Sequence, residues 1–209
     1  MAIDRRDVVQ MLIDENEALK ARNQQLSVRV TRHQQAFRAL NRMDDIMREL
    51  SVVFDVEKLI HKLLSLALHT CDSENGSLIL LDDETAELVF ADVIGEARKQ
   101  LINHRIKLDV GVVGHVVTSK EPVLIADVRK SVQWSSEVDQ IIGFKTNALM
   151  CAPLYNDKKT YGAIEVVNNI STDGFDDNDL AILRVTARYV SQALQKAEDI
   201  TLMGVKQTR

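Results

Sequence analysis

The chain has 209 residues, of which 45% are hydrophobic, and carries a formal net charge of −5 at pH 7. This length suits one domain of ordinary size with an extension, and the apolar content is enough for a buried core. The mild negative charge argues against nucleic acid as a partner, and no apolar run approaches the roughly 20 residues that span a membrane. Cys71 and Cys151 lie far apart without a CxxC motif, and the N-terminus lacks the apolar segment of a signal peptide, so we expect a reduced, cytoplasmic protein.

The first 42 residues differ in character from the rest of the chain. They contain no Gly or Pro, and their eight basic and five acidic residues give a charge of +3, whereas the remainder carries −8. Apolar residues recur here with heptad spacing, which is typical of a coiled coil. Position d of the heptad is taken by Leu12, Leu19, Leu26, His33, Leu40 and Met47, and position a by Val9, Asn16, Asn23, Val30, Phe37 and Asp44.

The residues of this seam predict a parallel homodimer. Leu at d suits two parallel strands, and Asn16 and Asn23 at a must meet the same residues of a partner or leave buried amides unpaired. Glu15 at g and Lys20 at the following e have the spacing of an ion pair between parallel helices. The alternative is an amphipathic helix that packs on its own domain, although a two-sevenths stripe is narrower than such helices usually show.

The heptad pattern changes phase before the rest of the chain begins. After Leu40 the apolar positions follow a step of three residues to Met43 better than the heptad step to Asp44. Such a step overwinds a coiled coil locally. The residues on the new phase are Met43, Met47, Leu50 and Phe54. We therefore expect a coiled-coil helix over 1–54, a mixed domain over 55–199 and a flexible tail over 200–209.

The mixed domain begins with a capped helix. Asp55 is the predicted N-cap of a helix over 56–70 that stops near Asn75-Gly76. The apolar face of this helix comprises Leu59, Ile60, Leu63, Leu64, Ala67 and Leu68. Strands are predicted at 77–82, 87–93, 104–108, 122–127, 148–155 and 160–168, with short helices near 95–101 and 111–119 and a final helix over 176–199.

One segment between the predicted strands is too long for a plain turn. Residues 129–146 are polar and contain Trp134, the only tryptophan of the chain. Connections of this length are uncommon in compact domains and often carry function. We expect a loop with a helical turn that covers a site.

Three strings in the mixed domain carry a family resemblance: DVGVVGHVVTSKEPVLIADV, IIGFKTNALMCAPLYNDKKTYGAIEVVNN and GFDDNDL. Their marker residues are Gly111-x-x-Gly114-His115, Gly143-Phe144-x-Thr146, Cys151-x-Pro153 and Gly162. In order and spacing, residues 55–198 resemble a GAF domain, closest to the regulatory GAF domains of cyclic nucleotide phosphodiesterases and cyclases. The resemblance implies an α+β fold with an antiparallel sheet of about six strands, helices on both sides, a small-molecule pocket on one face and dimerisation through flanking helices.

The resemblance also implies a set of ligand-binding residues. Polar contacts are expected from Ser77, Asp139, Thr146 and Glu165, and the wider candidate set adds Ile94, Ile125, Asp127, Trp134 and Ile142. The chain departs from the cyclic nucleotide pattern where Ile94 replaces an acid, Ile142 a threonine and Ser135 an aromatic residue. Each lost donor leaves a polar group of the ligand unpaired, which costs about 1–3 kcal/mol of binding free energy. These departures argue against a cyclic nucleotide and leave the identity of the ligand open. The alternative for the polar residues is hydrogen bonding within sheet edges and turns.

A further motif of the cyclic nucleotide subgroup is half present. It is matched at Asn168, Phe175 and Asp179, whereas Asn169 stands in place of a lysine and Leu180 in place of an acid. The ion pair of the family is therefore impossible, and a weaker contact from the Asn169 amide to Asp179 is the expected substitute for pinning the strand to the helix. In the alternative interpretation, Asp176 to Asp179 only start a helix.

Together these features favour a non-enzymatic signalling module. We expect a dimer that binds an unidentified small molecule and relays the event through its helices to a downstream signalling enzyme. One alternative is a GAF fold whose pocket is filled by Trp134 and Ile142 and which acts as a dimerisation or docking scaffold. Another is an enzyme such as the GAF-type sulfoxide reductases, but the covering segment 129–146 contains no cysteine. The sequence indicates no catalytic residue and no metal ligand.

Overall fold

The computed structural model describes residues 5–49, 55–171 and 174–207. The chain divides into two compact units, residues 1–38 and residues 39–209. This division falls before the boundary predicted at 54/55, because Ala39 and Met43 are buried in the second unit, with exposed fractions of 3% and 0%. Leu50 and Phe54, which belong to the predicted phase step, lie outside the described residues.

The first helix, α1 (Arg5–Glu49), confirms the long N-terminal helix. Within the first unit its seam residues are exposed, and the exposed fractions of the apolar ones lie between 47% for Leu26 and 65% for Phe37. The exposed members of the predicted seam up to that point are Val9, Leu12, Asn16, Leu19, Asn23, Leu26, Val30, His33 and Phe37. Leu40 is half-buried within the second unit.

The second helix, α2 (Val56–Thr70), has the predicted range 56–70 and the predicted N-cap. The Asp55 carboxylate accepts a hydrogen bond from the Lys58 backbone N–H at 3.1 Å, and the six predicted apolar residues are all buried. The predicted stop near Asn75-Gly76 is wrong, because these residues lie inside the first strand. Gly76 is required there since a Cβ atom would lie 2.7 Å from the Glu165 carbonyl oxygen and 2.8 Å from the Leu68 side chain.

Six antiparallel strands form one sheet in the order β3-β2-β1-β6-β5-β4, as expected for the fold class. Their bounds are β1 (Ser73–Asp82), β2 (Glu87–Ile94), β3 (Arg105–Lys107), β4 (Val123–Ile125), β5 (Leu149–Tyr155) and β6 (Thr160–Asn169). The remaining helices are α3 (Arg98–Leu101), α4 (Gly111–Ser119), α5 (Glu137–Ile142) and α6 (Asp177–Gln207), with a short 3-10 helix at Val128–Lys130. The last helix extends beyond its predicted end at 199, so residues 200–207, expected as a tail, are helical.

Alternation along the strands separates two apolar layers. Leu78, Met150 and Ile164 are buried on the face that packs against α2 and α6. Their neighbours Ile79, Leu149 and Cys151 point to the other face, where a second core forms with the apolar side of α4. The sheet is therefore a single layer between the long helices on one side and the short helices α3, α4 and α5 on the other.

Candidate functional site

A cavity of about 90 Å³ lies on the short-helix side of the sheet. A cavity needs roughly 10–15 Å³ to hold one water molecule, so this one has room for several waters or a small organic molecule. Its floor is formed by β1, β2, β5 and β6, its walls by α3 and the first turn of α4, and its roof by α5 with the flanking residues Trp134 to Thr146. The predicted covering segment 129–146 therefore covers a cavity.

Seven of the nine predicted ligand-binding residues line this cavity: Ser77, Ile94, Trp134, Asp139, Ile142, Thr146 and Glu165. The other two lie elsewhere. Ile125 is buried in the apolar core at β4. Asp127 caps the 3-10 helix and pairs with the Arg129 guanidinium at 2.8 Å, whose hydrogen bonds lower the pKa of that carboxyl to about 2. Asp127 is thus a structural residue, and the signal for a local cap was the arginine two positions later.

The polar part of the floor consists of two residues that face each other across neighbouring strands. Ser77 on β1 pairs in register with Glu165 on β6. On the next strand, β5, the residue in register with Glu165 is Cys151. Within the described residues, neither the Glu165 carboxyl nor the Ser77 hydroxyl has a hydrogen-bond or ion-pair partner, and both are accessible from the cavity. Burial raises the pKa of Glu165 to about 7, and the nearby charge of Asp139 adds to this effect.

The other two polar candidates bind each other instead of facing an empty space. The Asp139 carboxylate accepts hydrogen bonds from the Thr146 backbone N–H at 2.7 Å and from its hydroxyl at 2.8 Å. The turn between them is closed by Gly143, whose positive φ of 66° ends α5 and lets the Phe144 N–H reach the Asp139 carbonyl at 3.1 Å. Asp139 and Thr146 thus hold the roof together, which agrees with the turn-bonding alternative for Thr146.

The asparagine pair at the end of β6 anchors two different parts of the domain. The Asn168 side chain accepts from the Asn147 N–H at 2.8 Å and donates to the Lys145 carbonyl at 2.8 Å, so it holds the segment that carries Thr146. Asn169 donates to the Cys71 carbonyl at 2.7 Å and accepts from the Ser171 N–H at 2.6 Å. The expected contact of Asn169 with Asp179 is therefore wrong: its amide reaches the end of α2.

The acidic cluster after this loop starts α6, as the alternative interpretation proposed. The Asp176 carboxylate accepts from the Asp179 N–H at 3.0 Å, and the Asp179 carboxylate accepts from the Asp176 N–H at 2.9 Å. This reciprocal arrangement is a capping box. Phe175, the remaining motif residue, is buried, with an exposed fraction of 6%.

Sequence reasoning missed most of the apolar lining. The added residues include Phe90 and Phe144 and the residues Gly111 to Val113 at the start of α4. Phe144 was itself one of the family marker residues, and Phe90 lay in a predicted strand, but nothing local indicated that both line one cavity. Within the described residues, no Lys, Arg or His lines the cavity, so its only formal charges are acidic.

The two cysteines are poorly suited to nucleophilic chemistry. Cys71 and Cys151 are free thiols with exposed fractions of 1% and 0%. Burial raises the pKa of both, and the neighbouring charge of Glu165 adds to the effect at Cys151. Thiols held in the protonated form are weak nucleophiles. Among the described residues, no helix is both long and apolar enough to cross a bilayer.

Comparison with known proteins agrees with this architecture. The family model described as GAF domain matches residues 55–194. A cGMP-specific 3',5'-cyclic phosphodiesterase of Drosophila virilis is 26% identical over 171 residues, which cover 74% of this chain and 19% of that protein. This chain therefore spans less than a fifth of the length of the curated relatives it matches.

Solved structures share the fold at low sequence identity. The GAF domain from a phosphoenolpyruvate-protein phosphotransferase of Coxiella burnetii has a TM-score of 0.69 at 16% identity, covering 80% of this chain and 98% of that one. The free methionine-R-sulfoxide reductase of Neisseria meningitidis, solved in complex with its substrate, has a TM-score of 0.62 at 17% identity, covering 76% and 89%. At these identities the likeness concerns the fold alone.

Proposed function

The chain belongs to the GAF domain family, and on this basis we propose that it is a sensory module that binds a small molecule in the cavity beneath α5. GAF domains generally act as sensory and regulatory signalling modules. The observation that carries the proposal is a cavity of about 90 Å³ whose floor presents a carboxyl and a hydroxyl that have no partner among the residues the structure describes. Buried polar groups are costly unless they are hydrogen-bonded, so these two groups are placed for a ligand or for water.

The roof supports this reading because it is thinly packed. No residue of α5 is buried, and Trp134 and Ile142 are half-buried around the cavity without filling it. Segments with few buried contacts open at low free energy, which allows a ligand to enter. The same observation weighs against a scaffold whose pocket is closed by those two side chains.

The long helices supply the proposed relay. The floor strands β1, β5 and β6 pack with their opposite faces against α2 and α6. Met43 of α1 is fully buried, and its sulfur lies 3.6 Å from the Thr186 hydroxyl of α6. We propose that an occupied cavity favours one packing of α6 against the end of α1.

A parallel homodimer would carry that change along the N-terminal helix. The exposed seam offers apolar residues every three or four positions, interrupted by Asn16 and Asn23. A second copy in the same direction and register buries those residues and pairs each asparagine with its counterpart. The effector in this scheme is a downstream signalling enzyme, and the buried free thiols accord with a cytoplasmic setting.

We also propose that the module is not itself an enzyme. The described cavity lining contains no thiol, and Cys151, although on the cavity side of the sheet, is fully buried in the apolar core with its pKa raised. The similarity in fold to the free methionine-R-sulfoxide reductase therefore does not indicate a catalytic mechanism for this chain. A relative named as a cGMP-specific phosphodiesterase makes cyclic nucleotides the first ligands to test, although the substitutions at Ile94, Ser135 and Ile142 remove expected polar and stacking contacts.

Ligand binding can be tested on the full chain by two measurements. Native mass spectrometry of protein purified from cells would show a bound small molecule as added mass, and thermal unfolding would be scanned against cyclic nucleotides and other metabolites. Ala97→Leu, which places a larger side chain at the cavity wall, is the matched control and should abolish any shift. If no added mass and no ligand-induced stabilisation is found, while the dimer still forms, the docking-scaffold interpretation replaces sensing.

A further inference from the structure

The charges around the cavity restrict which ligands it can hold. Of its two carboxyls, Asp139 is occupied by two hydrogen bonds from Thr146. Glu165 is the one without a partner among the described residues, and no cationic side chain lines the space. An ionised carboxylate only accepts hydrogen bonds, so what it lacks is a donor.

We propose that the cavity selects a small ligand whose buried end carries N–H donors, such as an amidinium, a protonated amine or an amino-substituted heterocycle, and rejects an anionic group at that end. This inference rests on the proposed function, since it names the chemical class of the molecule that would be sensed. Ser77, directly across from Glu165, adds a hydroxyl that can accept a second N–H or donate to a ring nitrogen.

The energetics of burial favour a donor over an acceptor at this position. A second negative charge next to Glu165 and Asp139 would be both desolvated and repelled, whereas a cationic donor pairs with the free carboxylate. Burial already raises the pKa of Glu165 to about 7, so the empty cavity stabilises the ionised form poorly. A donor ligand supplies the missing stabilisation of that form.

The apolar lining limits the rest of the molecule. The rings of Phe90, Trp134 and Phe144 border the space, which suits a flat, unsaturated ligand body, and a delocalised cation gains further from contact with an aromatic face. A competing feature is the start of α4, where Gly111 to Val113 border the cavity, because helix N-termini attract anions. The test therefore has to compare cation and anion directly.

Benzamidinium, benzamide and benzoate are suitable probes because they have the same shape and differ in charge. Binding to the full chain would be measured by calorimetry at pH 8, where Glu165 is mostly ionised. We expect benzamidinium to bind about tenfold or more tightly than benzamide, because a charge-assisted hydrogen bond is roughly twice as strong as a neutral one, and benzoate to bind weakest. In Glu165→Gln the preference for the cation should disappear, whereas Glu121→Gln, at an exposed carboxyl outside the cavity, should keep it.

Several results would overturn the inference. If benzoate binds as tightly as benzamidinium, the start of α4 dominates the site, and an unchanged preference in Glu165→Gln would remove Glu165 from the site. Should Glu165→Gln not fold, the ranking of the three probes on the native chain decides alone. Absence of binding by all three probes at millimolar concentration also refutes this ligand class, but the proposed function fails only if the mass spectrometry and metabolite scan are negative as well.

Discussion

Replacing Glu165 by Gln should remove a pH dependence of stability that the native chain shows between about pH 4.5 and 7. Burial raises the pKa of this carboxyl from 4.5 to about 7, so between these values the folded chain holds a proton that the unfolded chain releases. The stabilisation is complete below the unfolded pKa and is lost as the pH rises through the folded pKa. At about 1.4 kcal/mol for each pKa unit, the total is ~3 kcal/mol, of which ~2 to 3 kcal/mol falls between pH 5 and pH 8.

The assay is chemical denaturation of the native chain and of Glu165→Gln at pH 5, 6, 7 and 8. Other titrating groups, including the five histidines, contribute equally to both proteins and cancel in the difference. The two should be similarly stable at pH 5, and the Gln variant should be more stable by ~2 to 3 kcal/mol at pH 8, or ~5–10 °C in melting temperature. Glu121→Gln, at an exposed site, is the control and should follow the native curve. Parallel curves for the native chain and Glu165→Gln would refute a raised pKa at this half-buried, unpartnered carboxyl.

Three further predictions concern the roof, the end of α1 and the dimer. Asn168→Gly removes the side-chain hydrogen bonds to residues 145–147, and glycine accommodates the backbone φ of 57°. The free energy of unfolding should fall by ~1–3 kcal/mol, and amide hydrogen exchange should become faster selectively over 137–147. An equal change in exchange rate across the whole domain would contradict the anchoring role. Met43→Ala should lower the free energy of unfolding by ~2–5 kcal/mol in denaturant titrations, against less than about 0.5 kcal/mol for the exposed control Met11→Ala; equal losses would argue against packing of this end of α1. The native chain should elute in light scattering with twice its mass of 23.5 kDa, and the double variant Leu19→Glu and Leu26→Glu should return it to a single chain, unlike Met11→Glu outside the seam. A native chain of single mass at micromolar concentration, or crosslinks between opposite ends of two copies, would contradict the parallel dimer.

Much of the fold could be predicted because its signals are local. Asp55 and the apolar face of α2 mark a helix by spacing within a few residues, and all six strands appear as short apolar runs between turn residues. The order of the glycine markers identified the family without any contact being known. The break at Asn75-Gly76 was misplaced because this pair usually marks a turn, whereas here Gly76 lets β6 and α2 approach β1 closely.

The candidate site could be predicted only in part. Matching positions in the chain to the family pattern predicted seven residues of the cavity. It did not show which of these residues are hydrogen-bonded to one another. Asp139 and Thr146 are seven positions apart and meet only because Gly143 turns the chain between them. Asn169 was paired with the wrong partner, because its amide reaches Cys71, a residue 98 positions earlier in the chain.

The sequence by itself determined the helix caps, the strands, the heptad stripe and the family, since each follows from residues within a turn or two of one another. Only the tertiary structure decided that, within the described part of the chain, Glu165 and Ser77 have no protein partner and no cationic side chain lines the cavity. The charge and hydrogen bonding of a buried group depend on strands brought together from residues 77, 93, 151 and 165, and no local pattern encodes what those strands leave unpaired.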